Sequence, residues 1–226
     1  MFNQYLKHSR TTILFVMMLG AFIIMSIFLP GKFLTLSNFQ SIASQIPEFG
    51  LLAIAIMLAM LTGGIDLSII STANLAGVGA ALILTKYSLP QLGAYEESYI
   101  IFLAIVSAIG ISLLCGLING LLIAYIKVPA ILATLGTMSI FSGIAIVITK
   151  GYGIQGFPEK FLFIGSGTIL AIPMPMIIFI VFILLMSLIL NRTSYGFNLY
   201  MLGSNPVASR FSGINNRGIL VRTYIL

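Results

Sequence analysis

Residues 99–126 read YIIFLAIVSAIGISLLCGLINGLLIAYI, a stretch with no charged side chain and with Ser107, Ser112 and Asn119 as its only aliphatic hydroxyl or amide groups. A helix rises 1.5 Å per residue, so a run of this length spans the roughly 30 Å hydrocarbon core of a bilayer with residues to spare. The rest of the chain agrees with it. Of the 226 residues 59% are hydrophobic and 7% charged, and the mean hydropathy is +1.14. A soluble core of this length cannot bury that much apolar surface, so lipid must cover the remainder. Soluble enzymes and nucleic-acid binders are thereby excluded. The net charge of +6 reads as the basic bias of cytoplasmic loops, because a membrane protein collects Lys and Arg there. A lone cysteine, Cys115, rules out an intramolecular disulfide, and a lone histidine, His8, cannot supply a multi-imidazole metal site.

Working outward from that stretch, apolar runs define six spans, at residues 11–29, 47–61, 65–84, 99–126, 130–149 and 168–190, with a seventh beginning at Ile219. Gly, Pro or charge marks every break between them. The fourth span is long enough to tilt or to contain a break near GLING, residues 116–120. An N-terminus inside, with alternating spans, places Lys7, Arg10, Lys127, Arg192, Arg210, Arg217 and Arg222 in the cytoplasm. Lys32, Lys86, Lys150 and Lys160 then lie outside with Glu48, Glu96, Glu97 and Glu159. The first span lacks a small-x-small cleavage pattern and reads as a retained helix rather than a signal peptide. No phosphate loop of the GxxxxGK[ST] kind occurs, so this chain does not hydrolyse ATP itself.

Three groups of residues could carry function. In the polar stretch after the sixth span, Ser204 or Asn205 offers a cap, Pro206 a first helical position and Gly213 a stop, which predicts a short cytoplasmic helix. Arg210 complements its dipole, and Val207 with Phe211 forms a small apolar face that suits either docking on a partner or lying on the membrane surface. In GGIDLS, residues 63–68, Asp66 either caps the third span or serves a pathway, and Gly63-Gly64 permits a tight turn or a broken helix. Asn74 and Asn119, with Ser71, Thr72, Ser107, Ser112, Thr134 and Thr137, either face a polar pathway or bridge helices; Gly116 and Gly120 have the GxxxG spacing of close helix packing.

These segments resemble the permease subunits of bacterial ABC importers for simple sugars, of the ribose, xylose, galactose and autoinducer-2 type. The resemblance is carried by LTGGIDLS at 61–68, by GLING at 116–120 continuing through KVPAILATLGT at 127–137, and by SYG at 194–196, GSN at 203–205 and RFSGIN at 210–215. It departs at Ile69-Ile70, where the family pattern GIDLSVGS has Val-Gly, and family members are longer, so the chain resembles a truncated or partly represented permease. The resemblance implies an all-α polytopic membrane protein like the cobalamin importer permease, with residues 1–226 forming one incomplete permease domain and residues 191–218 a cytoplasmic coupling loop. It implies a coupling helix of Asn205, Pro206, Val207, Arg210, Phe211 and Gly213. The candidate translocation or gating residues are Gly63, Gly64, Asp66, Ser68, Asn74, Asn119 and Thr134. The implied partners are an ABC ATPase, which carries ATP and Mg while this chain binds no cofactor, a periplasmic or lipid-anchored solute-binding protein, a second permease subunit as homo- or heterodimer, and membrane lipid. Nucleic acid is not among them, and the implied site is the bacterial inner membrane. The competing readings are a stand-alone secondary transporter or channel, an intramembrane enzyme, and a branched-chain amino-acid ABC permease.

Overall fold

The computed structural model describes the backbone of residues 2–87 and 94–226 and the side chains of residues 12–86 and 96–226. Lys7, His8 and Arg10, singled out in the sequence, have side chains outside those described. The regular elements of the described chain are helices and one small hairpin: α1 Phe2–Phe28, α2 Pro30–Phe33, α3 Leu36–Leu61, α4 Ile69–Tyr87, α5 Ala94–Ala124, α6 Ala130–Thr149, α7 Glu159–Ser166, β1 Thr168–Ile169, β2 Ile172–Pro173, α8 Met174–Arg192, α9 Ser194–Ser204, α10 Pro206–Phe211 and α11 Asn216–Ile225. Among the described residues, five helices (α3, α4, α5, α6 and α8) are long and apolar enough to cross a membrane, and Thr12–Phe28 of α1 is a shorter apolar helix. The chain is thus an all-α polytopic membrane protein at the level of its helices.

Several expected span starts move, the first from residue 11 to Phe2 and the fourth from residue 99 to Ala94. The second span starts at Leu36 instead of Pro47: the Thr35 side chain accepts from the Asn38 N–H at 3.3 Å, and Pro47 sits buried inside the helix. The Ser, Asn and Gln residues of its first half mask a helix whose 26 residues extend about 39 Å. Glu48 consequently lies within α3 with its side chain exposed, not in an outer loop. The third span begins at Ile69 rather than Ile65, because residues 62–68 form a turn. The sixth begins at Met174 rather than Thr168, because residues 168–173 fold back as the β1–β2 hairpin, with Leu170 and Ala171 at positive φ and Pro173 preceding the helix. No break occurs near Gly116 to Gly120; α5 is continuous through them.

Apolar side chains meet in three clusters. Leu58 of α3, Met186 and Leu190 of α8, Leu199 and Leu202 of α9 and Ile219 of α11 form the first. Leu75 and Cys115 with Phe141 and Ala145 join α4, α5 and α6, and Leu84 packs with Ile100, Ile101 and Ala104 at the other end of α4 and α5. That far end also carries the ion pair of Lys160 with Glu97 at 3.1 Å and the Gln40 amide bonded to the Ala171 carbonyl at 3.1 Å. The opposite end gathers the turn at residues 62–68, the link at 125–129 and helices α9 to α11, with Lys127, Arg192, Arg210, Arg217 and Arg222 among them. Outward faces of the long helices remain apolar, as at Leu184, 64% exposed, which is the surface that lipid solvates.

Candidate functional site

The turn joining α3 to α4 is built from its glycines. Gly63 has φ of +82° and its N–H bonds to the Met60 carbonyl at 3.0 Å, while the Gly64 N–H reaches back to Ala59 at 3.3 Å. These paired bonds close the last turn of α3, and the left-handed residue they require is least costly as glycine. Gly64 is fixed by space instead: a Cβ there would lie 2.7 Å from the Tyr224 hydroxyl and 3.0 Å from the Ala130 Cβ. The double glycine is therefore a tight turn with no broken helix.

From that turn a chain of buried polar groups crosses three helices. The Asp66 Oδ1 accepts from both the N–H and the Oγ of Ser68, each at 2.7 Å. The Asn119 amide on α5 donates to Ser68 Oγ at 2.7 Å, and its carbonyl accepts from Thr137 Oγ1 on α6 at 2.7 Å. Thr134 Oγ1 is 2.8 Å from the Ala130 carbonyl and 3.3 Å from that of Ile65, and Ser71 Oγ bonds the Ser68 carbonyl at 2.7 Å. Asp66, Ser68, Ser71, Asn119, Thr134 and Thr137 are all buried. The expected helix cap thus moves by two residues. Ser68, whose carbonyl takes the first bond of α4 from Thr72, holds the cap position, and Asp66 orients Ser68 from outside the helix. Ile70, at the family's glycine position, is 66% exposed, so its side chain crowds no neighbouring backbone.

Five of the seven candidate residues between Gly63 and Thr134 therefore participate in one structure with Gly64 as its packed edge, and Asn74 does not. Asn74 lies on an exposed face of α4, on a groove shared with α6.

The second constellation is the segment α9–α10–α11. The Thr193 side chain accepts from the Gly196 N–H, capping α9. Asn205, not Ser204, caps α10: its Oδ1 accepts from Val207 and Ala208 N–H groups, both at 3.0 Å. Pro206 takes the first helical position and Gly213, at φ of +81°, reverses the chain after Phe211. Val207 and Phe211 are 64% and 89% exposed, so the short apolar face is left largely uncovered by the described residues. The helix is tied to α11, because Asn216 donates to the Pro206 carbonyl at 2.7 Å and accepts from Ser209 Oγ at 2.8 Å. In turn α11 lies along α5 so closely that a Cβ on Gly120 would fall 2.9 Å from the Val221 Cα, and one on Gly116 would meet the Tyr224 carbonyl oxygen. The GxxxG pair of α5 is the seat of α11. Arg217 stacks over the Tyr125 ring at 5.5 Å, and Tyr195 of α9 pairs with Thr223 at 2.8 Å. Burial pushes the Tyr195 hydroxyl above its ordinary value, with the Thr223 bond and the charge of Arg222 pulling the other way. Asn216 and Tyr224 carry no signal in the sequence, since their roles depend on partners brought from other elements.

The α10 helix, capped by Asn205 and followed by Gly213, is thus carried on α11, which is seated against α5. The model of the family described as the branched-chain amino acid transport system / permease component matches residues 38–226. The chain belongs to this permease family. Among similar proteins, the autoinducer 2 import system permease protein of Enterobacter sp. (strain 638) is 31% identical over 181 residues, 77% of this chain and 52% of its own length. The galactofuranose transporter permease protein of Escherichia coli (strain K12) is 33% identical over 186 residues, 82% of this chain and 51% of its own. The autoinducer 2 import system permease protein of Yersinia enterocolitica is 32% identical over 183 residues, 78% and 52% respectively. The chain spans about half the length of these curated relatives. No solved structure matches it.

Proposed function

We propose that this chain is a transmembrane permease subunit of an ATP-binding cassette importer that moves a simple sugar or related hydroxylated solute inward across the bacterial inner membrane. The observation that carries the reading is α10: a six-residue helix with Asn205 as its cap, whose Val207 and Phe211 are exposed and whose Asn216 ties make it one body with α11. Such a helix suits a groove on a separate ATPase subunit, which would carry ATP and Mg. Closure of the nucleotide-bound ATPases would push α10, and α11, seated on Gly116 and Gly120, would pass the displacement to α5. Residues 191–218 are then the coupling loop of a single permease domain whose N-terminus is cytoplasmic, the basic end of the fold facing inward. The overall arrangement would be that of the cobalamin importer permease, with α1 as a further span, residues from Ile219 leading into a seventh, and a second permease subunit and an external solute-binding protein completing the assembly.

Within this reading Asp66, Ser68, Asn119 and Thr134 brace α4, α5 and α6 and are not solute ligands, because the polar groups of Asp66, Ser68 and Asn119 face one another and the Thr134 hydroxyl bonds backbone carbonyls. The names of the relatives favour sugar-type solutes over the amino acids of the family description. The test is co-purification: a tagged permease solubilised from its native membrane should retain an ATPase subunit, Arg210→Glu and Phe211→Glu should lose it, and both variants should still insert. ATPase retention by both variants would refute the coupling role of α10.

A further inference from the structure

Asn74 is the one candidate residue that the buried network leaves out, and its position is informative. It lies on α4, among residues 69–86, long and apolar enough to cross a membrane, yet its side chain is exposed and makes no hydrogen bond to another described residue. An amide facing lipid would be left unsatisfied, so polar side chains at such depth turn toward protein or water. Asn74 faces a groove and no hydrogen-bonding partner among the described residues. Between α4 and α6 a cleft of about 400 Å³ is lined by Asn74, Gly77 and Ala81 on one wall and Ala145 and Thr149 on the other, with Tyr152 beyond the end of α6. That volume falls in the roughly 300–1,000 Å³ range of small-molecule sites. Small residues hold it open: a Cβ placed on Gly77 would meet nothing within 4 Å.

We infer that this α4–α6 groove is the wall along which the solute passes, and that it is built for a neutral polyhydroxylated solute rather than an amino acid. Its polar groups are an amide, which offers a donor and an acceptor side by side to neighbouring hydroxyls, a threonine hydroxyl and a tyrosine whose residue is 77% exposed. The Tyr152 ring, at the end of α6, presents an apolar face of the kind on which the C–H side of a sugar ring rests. Among the described residues, no charged side chain lines the groove. The ammonium and carboxylate of an amino acid would find no opposite charge there among the described residues. A sugar exchanges hydroxyl–water bonds for hydroxyl–amide bonds at little net loss. The inference rests on the importer reading and adds the solute-contacting face of this chain to it.

The chain's single cysteine, Cys115, is buried, so introduced thiols can be read without removing it. In membranes holding the assembled transporter, Gly77→Cys and Asn74→Cys are treated with the water-soluble, positively charged thiol reagent MTSET, with Leu184→Cys on the apolar face of α8 as the lipid control. Both groove positions should react roughly tenfold or more faster than Leu184→Cys, since the reactive thiolate forms only where water reaches it. In the same membranes Gly77→Leu should abolish uptake of radiolabelled D-ribose or D-galactose, whichever the unaltered assembly transports, while the ATPase still co-purifies. Labelling of Gly77→Cys no faster than the lipid control, undiminished sugar uptake by Gly77→Leu, or uptake of L-leucine by the unaltered assembly would each overturn the inference. Co-purification of the ATPase separates these failures from a failure of the importer reading, which predicts its loss only when α10 is altered.

Discussion

One substitution, glycine to alanine, should stabilise the protein at one helical position and destabilise it at two others, and the sign comes from the surroundings of each residue. Alanine in a helix is favoured over glycine by up to about 1 kcal/mol. At Gly77 nothing lies within 4 Å of the added methyl, so that gain is undiminished. At Gly120 the methyl would sit 2.9 Å from Val221 Cα and 3.2 Å from its carbonyl oxygen. Both are backbone atoms of α11, which must lift away from α5 as a unit. Overpacking of this kind costs about 1–3 kcal/mol, which offsets the propensity gain of up to about 1 kcal/mol and leaves a net loss of up to about 2 kcal/mol. Gly116→Ala should lose more, because the methyl runs into the Tyr224 carbonyl and lies 2.9 Å from Ile225 Cα. For a chain of this size 1 kcal/mol moves the melting temperature by about 2–4 °C. Gly77→Ala and Gly120→Ala should therefore melt about 2–12 °C apart, on opposite sides of the unaltered protein, when unfolding is followed by fluorescence-detected size exclusion in detergent. A Gly120→Ala protein melting at or above the unaltered one would refute the seating of α11 on α5.

The remaining expectations concern the polar groups. Asn119→Ala deletes the bonds to Ser68 and Thr137, although Thr137 keeps the Ala133 carbonyl at 3.1 Å; at about 0.5–1.5 kcal/mol per bond, a loss of about 1–3 kcal/mol should appear as a lower melting temperature, and an unchanged one would show the network to be idle. Asp66→Asn keeps an oxygen to accept from Ser68, so it should retain near-normal stability and uptake where Asp66→Ala loses both; equal behaviour of the two would refute the turn as the reason for Asp66. Asn205→Ala removes the acceptor for Val207 and Ala208 at a cost of about 1 kcal/mol, and proteolysis within residues 205–213 should accelerate while insertion is unaffected. Unchanged cleavage would mean that the Asn216 ties alone hold α10.

Class and local punctuation are legible because they depend on residues close in sequence. The apolar run at 99–126 demands a membrane span, the sequence from Asn205 through Pro206 to Gly213 demands a short capped helix, and GxxxG at Gly116 and Gly120 demands a close neighbour. Each is a statement about one helix and its immediate solvent. The start of α3 is obscured because its Ser, Asn and Gln residues weaken the apolar signal without breaking a helix, and Pro47 reads as a boundary. The β1–β2 hairpin gives no sign of itself, since its turn uses Leu170 and Ala171, side chains with no preference for positive φ.

Pairings across the fold lie beyond the sequence for a different reason. Nothing in the order of residues says that Asn119 faces Ser68, 51 positions away, or that the neighbour which Gly116 and Gly120 await is α11. Those choices are made when three spans and a returning helix pack at once, and every buried polar group must find its partner among groups delivered by other helices. The sequence by itself determined that this chain enters a membrane and presents a capped helix outside it. Only the tertiary structure decided that Asp66, Ser68 and Asn119 turn inward on one another while Asn74 is left facing an open groove, because satisfaction of a buried dipole is a property of the packed assembly.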